Sequence, residues 1–227
     1  MKSNIFLRFI TALVLMLYVG RVDAANISKT EALDFARTKG KELLMNFQET
    51  NLQKRYAALD DLFVTYIDVD YISKFVIGKY WKVMSKAQRE AYQKLFVRYG
   101  LAYYKTLPLD FANNLTYDII DAEDDKNFTN VSCVVKFSLS GNQPQNIALI
   151  FRLHRADGII KAVDVKVAES SMLLYYRNKF YKMLAENDDE IDWFLEDLED
   201  MTRSFENNLQ ENVSSQQNSL EFDEETL

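Results

Sequence analysis

Apolar side chains recur every three or four residues through the first half of the chain, then every second residue, then every three or four again. The first spacing belongs to a helix with one buried face, the second to a strand with one buried face. Ser28 with Glu31 reads as a capping box, each side chain bonding the other's backbone N–H, and predicts a helix from Lys29 to about Phe47. Asn51 caps a second helix ending near Tyr66, with Leu52, Tyr56, Leu59 and Phe63 on its inner face. Ile72, Phe75, Val76, Lys79 and Tyr80 mark a third. Asp68 offers its free N–H groups a carboxylate, and Asp70 lies in the positive first turn. Ser85 and Gln88 form another capping box. The helix behind it carries Tyr92, Leu95, Phe96, Tyr99 and Tyr103, and Pro108 stops it.

Past Pro108 the period falls to two. Tyr117 and Ile119 begin the alternation; Val131, Cys133, Val135, Phe137 and Leu139 continue it. Ile147, Leu149, Phe151 and Leu153 follow, then Ile159, Val163, Val165 and Val167. Turn chemistry at residues 140–144 and 155–158 separates the runs, so they predict four antiparallel strands with one apolar face. The opposite face carries Lys136, Arg152, His154, Asp164 and Lys166, which places His154 at the surface. Helical spacing returns at Met172, Tyr175, Tyr176, Lys179 and Phe180, and again from Ile191 through Phe194, Leu195, Leu198 and Phe205. The expected architecture is α+β: a curved antiparallel sheet of about four strands packed against several helices.

Residues 1–24 have the composition of a signal peptide. Lys2 and Arg8 precede an apolar core from Phe9 to Val19, and Val22-Asp23-Ala24 fits a cleavage site. That core is too short to span a bilayer, which takes about 20 residues. Residues 25–206 then form one domain, and residues 207–227, acidic and poor in large apolar groups, form a disordered tail. Charge divides the same way. Residues 25–185 hold 23 Lys and Arg against 18 Asp and Glu, whereas residues 186–227 hold 15 acids and one base. The overall charge of −7 hides a basic body and an acidic end.

Candidate chemistry is sparse. There is no phosphate-cradling glycine loop, no His-Glu-x-x-His and no Gly-x-Ser-x-Gly. Cys133 and His154 are the only residues of their kinds, so no internal disulfide can form and a transition-metal site would rest mostly on carboxylates. Cys133 alternates with apolar neighbours and reads as a small core residue. Asp68 and Asp70 stand two apart, on different faces of a helix, which fits capping rather than an acid pair.

Two blocks are distinctive. The first runs Asp68-Val69-Asp70, a short apolar helix, Gly78-Lys79-Tyr80-Trp81, then Ser85-x-x-Gln88-Arg89. The second is Asp164-Val165-Lys166-Val167, Ser171-Met172, then Tyr176-Arg177-Asn178-Lys179-Phe180. Together they resemble the MlaC, or toluene-tolerance, family of periplasmic phospholipid-transport proteins. Glu169 and Ser170 stand where that family has Gly-Val, and Ile160 where a Trp is usual. The resemblance implies an apolar cleft between sheet and helices that holds phospholipid acyl chains as cargo, with no cofactor and no catalysis. It implies docking to an inner-membrane ABC transporter complex and an outer-membrane lipoprotein complex, with transient membrane contact and no nucleic acid. Placed on the apolar faces of the matching elements, the expected lining is Phe75, Val76, Tyr80, Phe96, Tyr103, Val135, Phe137, Leu149, Phe151, Val165, Met172 and Tyr176. Lys136, Arg152 and Lys166 form the expected docking patch. The residues alone leave open two other readings. One is an enzyme with isomerase-type Asp and Tyr groups on a cone-shaped fold like that of nuclear transport factor 2. The other is a lipid-free adaptor using its basic face.

Overall fold

Side-chain caps set where the helices begin. The structure, a computed structural model, describes residues 27–106, 115–138 and 145–225; the leader, Pro108 and the turn at 140–144 lie outside the described residues. Helix α1, Lys29–Phe47, opens on the predicted box: Ser28 Oγ accepts the Glu31 N–H at 3.2 Å, and Glu31 Oε2 accepts the Ser28 N–H at 2.9 Å. Asn51 caps α2, Leu52–Tyr66, through the Lys54 N–H. Asp68 caps α3, Val69–Ile77, through the Tyr71 N–H at 2.9 Å. A single turn, α4 at Tyr80–Val83, leads to α5, Lys86–Lys105, which opens on the Ser85–Gln88 box.

The sheet is an antiparallel meander with its strands in chain order. Its members are β1 Thr116–Asp125, β2 Phe128–Phe137, β3 Gln145–Ala156, β4 Ile159–Val167 and the two-residue β5 Ser170–Ser171. The four expected strands are present, with a short fifth at the edge. Asp157 and Gly158, with φ of 52° and 81°, make the tight turn between β3 and β4. The β4–β5 turn uses the same left-handed region without a glycine, at Ala168 (φ 46°) and Glu169 (φ 72°). Extra residues interrupt the ladder at Ile120 in β1 and Val163 in β4. Such bulges bend a strand and increase its twist, which is how this sheet gains curvature.

Two cores hold the layers together. Helix α1 lies on one end of the sheet, where Ile27 and Ala32 bury against Ala122, Val131 and Leu153. The larger core is helical: Val76 and Ile77 of α3 meet Tyr92 and Tyr99 of α5, and Phe180 and Phe194 from the last two helices. The first of those, α6 at Met172–Glu186, rises from β5, with Asp164 Oδ1 accepting the Leu173 N–H and Oδ2 the Ser171 hydroxyl. The second, α7 at Ile191–Glu225, is 35 residues long, about 52 Å at 1.5 Å per residue.

Where a disordered tail is expected over 207–227, the structure is helical as far as Glu225, the last described residue. Helix α7 runs on through Glu225, with Leu209 buried and Val213 half-buried. Gln216 clasps the α1–α2 turn, its Nε2 donating to the Thr50 carbonyl at 2.8 Å and its Oε1 accepting the Leu52 N–H at 2.9 Å. Arg98 of α5 braces the same helix through Glu199 and Glu206, at 2.8 and 2.7 Å. The helical spacing of apolar residues continues past Phe205, and the acids fill the outer side, so low hydrophobicity here marks a solvated face rather than an unfolded end. Truncation after Asn207 is therefore expected to lower the melting temperature by about 5 °C or more, given the loss of roughly 2–3 kcal/mol in burial and hydrogen bonds. An unchanged midpoint in a thermal melt would show that the end of α7 contributes nothing.

Candidate functional site: an apolar band between two cores

Strand register brings Tyr117 beside Val135, Cys133 beside Leu149, Leu149 beside Val167, and Phe151 beside Val165, all on the α1-covered face of the sheet. Near Leu153 and Val131 that face is sealed by α1. Farther along it is not. Val135, Ile147, Leu149, Val165 and Val167 are half-buried and belong to neither core. Contiguous apolar surface left partly to water is costly, and on a folded protein it marks a binding surface.

One margin of the band is set by α1. At Gly40 a Cβ would come within 2.9 Å of the Tyr117 ring, so the helix approaches β1 more closely than a larger residue allows. The Tyr117 hydroxyl donates to the Arg37 carbonyl at 2.9 Å. An open hollow of about 490 Å³ lies there, lined by Arg37, Lys41, Tyr117, Asp118 and Ile119. It places two cationic side chains at the border of the apolar face.

The twelve expected lining residues separate into three groups. Val135, Phe137, Leu149, Phe151 and Val165 share the band's face of the sheet. Tyr103 and Tyr176 are half-buried where α5 and α6 meet, their rings edge to face at 5.9 Å, and Met172 is half-buried at the start of α6. Val76, Tyr80 and Phe96 are sealed inside the helical core, and Phe75 lies on its rim beneath the Arg177 guanidinium. Periodicity identifies a helix's apolar face but not what the face meets, and for these last four it meets other helices rather than the band. Ile147 and Val167 share the band with the sheet residues and were not among the twelve, although their alternation was the available signal.

The expected docking patch is also divided. Lys136, Arg152 and Lys166 do project from the face opposite the band, but Lys136 is opposed by Asn146, six residues from Arg152, about 20 Å along the strand. Lys136 pairs with Asp118 at 2.6 Å, and Arg152 with Asp125 at 2.8 Å while stacking on Phe128. Two of the three charges are thus answered locally. His154, expected at the surface, is tucked in: its Nε2 lies 2.7 Å from Asp68 Oδ2, and its ring packs on Phe128 and Tyr71. Cys133 is buried, which pushes its thiol up to about 11 and leaves it unreactive. Among the described residues no three His, Cys, Asp or Glu side chains are placed to hold a metal ion.

The two distinctive sequence blocks meet in space. Arg177 donates to the Phe75 carbonyl and to the Tyr181 hydroxyl, each at 3.1 Å, and that hydroxyl accepts the Lys79 N–H at 3.1 Å. The Tyr80 hydroxyl donates to Asp189. Gly78-Lys79-Tyr80 on one side and Arg177 with Tyr181 on the other are therefore halves of one latch joining α3 to α6. A family model described as MlaC protein matches residues 42–200. The chain belongs to the MlaC family. Among solved structures it is similar to the phospholipid-binding protein from Ralstonia solanacearum, determined in complex with a phospholipid. The two are 18% identical with a TM-score of 0.61, over 75% of this chain and 96% of that one. No curated protein matches. The MlaC match ends inside α7, so the part of that helix from Met201 onward lies outside it.

Proposed function

We propose that this MlaC-family chain is an exported, non-enzymatic carrier that holds phospholipid acyl chains against the apolar band. The band carries the reading: half-buried aliphatic residues in cross-strand register that join neither core. The phospholipid held by the Ralstonia solanacearum neighbour supports it from a shared fold. Leaving some thirty methylenes in water costs on the order of 20 kcal/mol, at about 0.8 kcal/mol each. A lipid crossing the periplasm therefore requires an apolar container. The chain has no nucleotide-binding motif, so in this reading directionality comes from partners: an inner-membrane ABC transporter complex and an outer-membrane lipoprotein complex. No helix among the described residues is long and apolar enough to cross a membrane, which suits a shuttle between the two. Mass spectrometry of an organic extract of protein purified without detergent tests the proposal. Phospholipid near one molecule per chain is the expected result; protein that emerges folded and free of lipid overturns it.

A further inference from the structure

Lys179 is a half-buried cation with no anion beside it. Its Nζ donates to the Tyr99 hydroxyl at 2.9 Å and stands 3.5 Å from Met201 Sδ. Among the described residues it pairs with no carboxylate, and neither does Lys166 on the sheet, whereas the half-buried lysines Lys39, Lys105 and Lys161 pair with Glu42, Asp60 and Asp157. Burial pulls the Lys179 ammonium below the usual lysine range, because the charged form has lost water and gained no opposite charge in return. An added anion would relieve that deficit.

The surroundings are built for a polar group rather than for a second hydrocarbon. The ammonium stands 5.4 Å from the Tyr99 ring centre, and around that ring Tyr103 of α5 stacks at 6.0 Å, Tyr176 of α6 meets it edge to face, and Phe205 of α7 tilts against it, four rings from three helices. Three of the four carry a hydroxyl. Burial pushes the Tyr99 and Tyr176 hydroxyls above the usual tyrosine range, so they stay neutral and keep a proton to donate. Position ties this box to the band. Helix α6 starts at β5, which pairs with Val167, and Lys179 is seven residues along it from Met172, about 10 Å at 1.5 Å per residue.

We infer that Lys179, with the hydroxyls of Tyr99, Tyr103 and Tyr176, receives the phosphate of the lipid whose acyl chains lie on the band. The inference rests on the carrier reading and adds the group that recognises the cargo's polar end. A phosphodiester carries a negative charge and strong acceptor oxygens, which match one ammonium and a set of hydroxyl donors. Met201, which stands against the ammonium, and Phe205, which packs on Tyr99 and Tyr103, belong to the stretch of α7 beyond the family match.

The test uses delipidated full chain and three probes: a lysophospholipid, a monoacylglycerol with the same acyl chain, and inorganic phosphate. Calorimetric titration is expected to give wild type at least tenfold tighter binding of the lysophospholipid than of the monoacylglycerol. Lys179→Gln should erase that preference while leaving monoacylglycerol affinity unchanged, and Lys179→Arg should keep most of it. Equal binding of the two amphiphiles by wild type, or a preference that survives Lys179→Gln, overturns the head-group assignment and leaves the carrier reading standing. Micromolar binding of inorganic phosphate without any lysophospholipid preference also overturns it, by making this a site for free phosphate. If wild type binds neither amphiphile, the carrier reading fails and this inference fails with it.

Discussion

A chain carrying Val165→Glu is expected to fold and to lose its lipid. Val165 sits on β4 directly opposite Phe151, on the face of the band, half-buried and outside both cores. In the lipid-free chain a carboxylate there keeps part of its hydration, so folding should cost only about 1 kcal/mol. With acyl chains in place the same carboxylate would be stripped of water among hydrocarbon, with no partner. Burying a charge on those terms costs several kcal/mol or forces it to protonate, which translates into a loss of lipid affinity of roughly a hundredfold or more. Lys166→Glu is the matched control, because period-two geometry turns the next residue to the opposite face. Phosphorus per chain after detergent-free purification measures the load, and a urea melt confirms the fold. A folded Val165→Glu chain with the same load as Lys166→Glu would place the acyl chains elsewhere.

Local structure was legible because its causes are local. Ser28, Asn51, Asp68, Ser85 and Ser171 each accept a backbone N–H three residues ahead, and that spacing can be read from the chain directly. The strands were legible because an apolar face and a solvated face alternate. What did not show was which surface each apolar face would meet. Val76 and Val165 are both apolar residues on apolar faces, yet one fills a helical core and the other lies on the open band. The difference depends on how α3, α5 and α6 pack, which no periodicity encodes. His154 was misplaced for a similar reason: Asp68, its partner, is 86 residues away and was fully explained as a cap. The end of α7 was misread on composition alone, although Leu209 and Val213 kept the four-residue step. Bulges hid one further residue. Val163 follows the alternation, but its ladder slips there, and it is buried as the extra residue of β4 rather than as part of the band.

Gly78→Ala is expected to destabilise the chain by about 3–5 kcal/mol, the largest effect of any single methyl group added to it. Gly78 ends α3 with φ 51° and ψ −114°, a backbone conformation that side chains disfavour strongly. A Cβ at this position would overlap the Tyr181 hydroxyl and lie 2.9 Å from Arg177 Nη2. Neither group is free to move aside. Arg177 is held by the Phe75 carbonyl, and Tyr181 receives the Lys79 N–H, so displacing them breaks the latch between α3 and α6. Backbone strain contributes about 1–3 kcal/mol, and each hydrogen bond lost about 1 kcal/mol more. Gly158→Ala separates the two causes. Gly158 also has a left-handed φ, 81°, but nothing lies within 4 Å of its added Cβ, so it should cost only the backbone share. Urea denaturation of both variants decides the matter. If Gly78→Ala costs no more than Gly158→Ala, the close approach of Tyr181 and Arg177 is not what keeps a glycine at the end of α3.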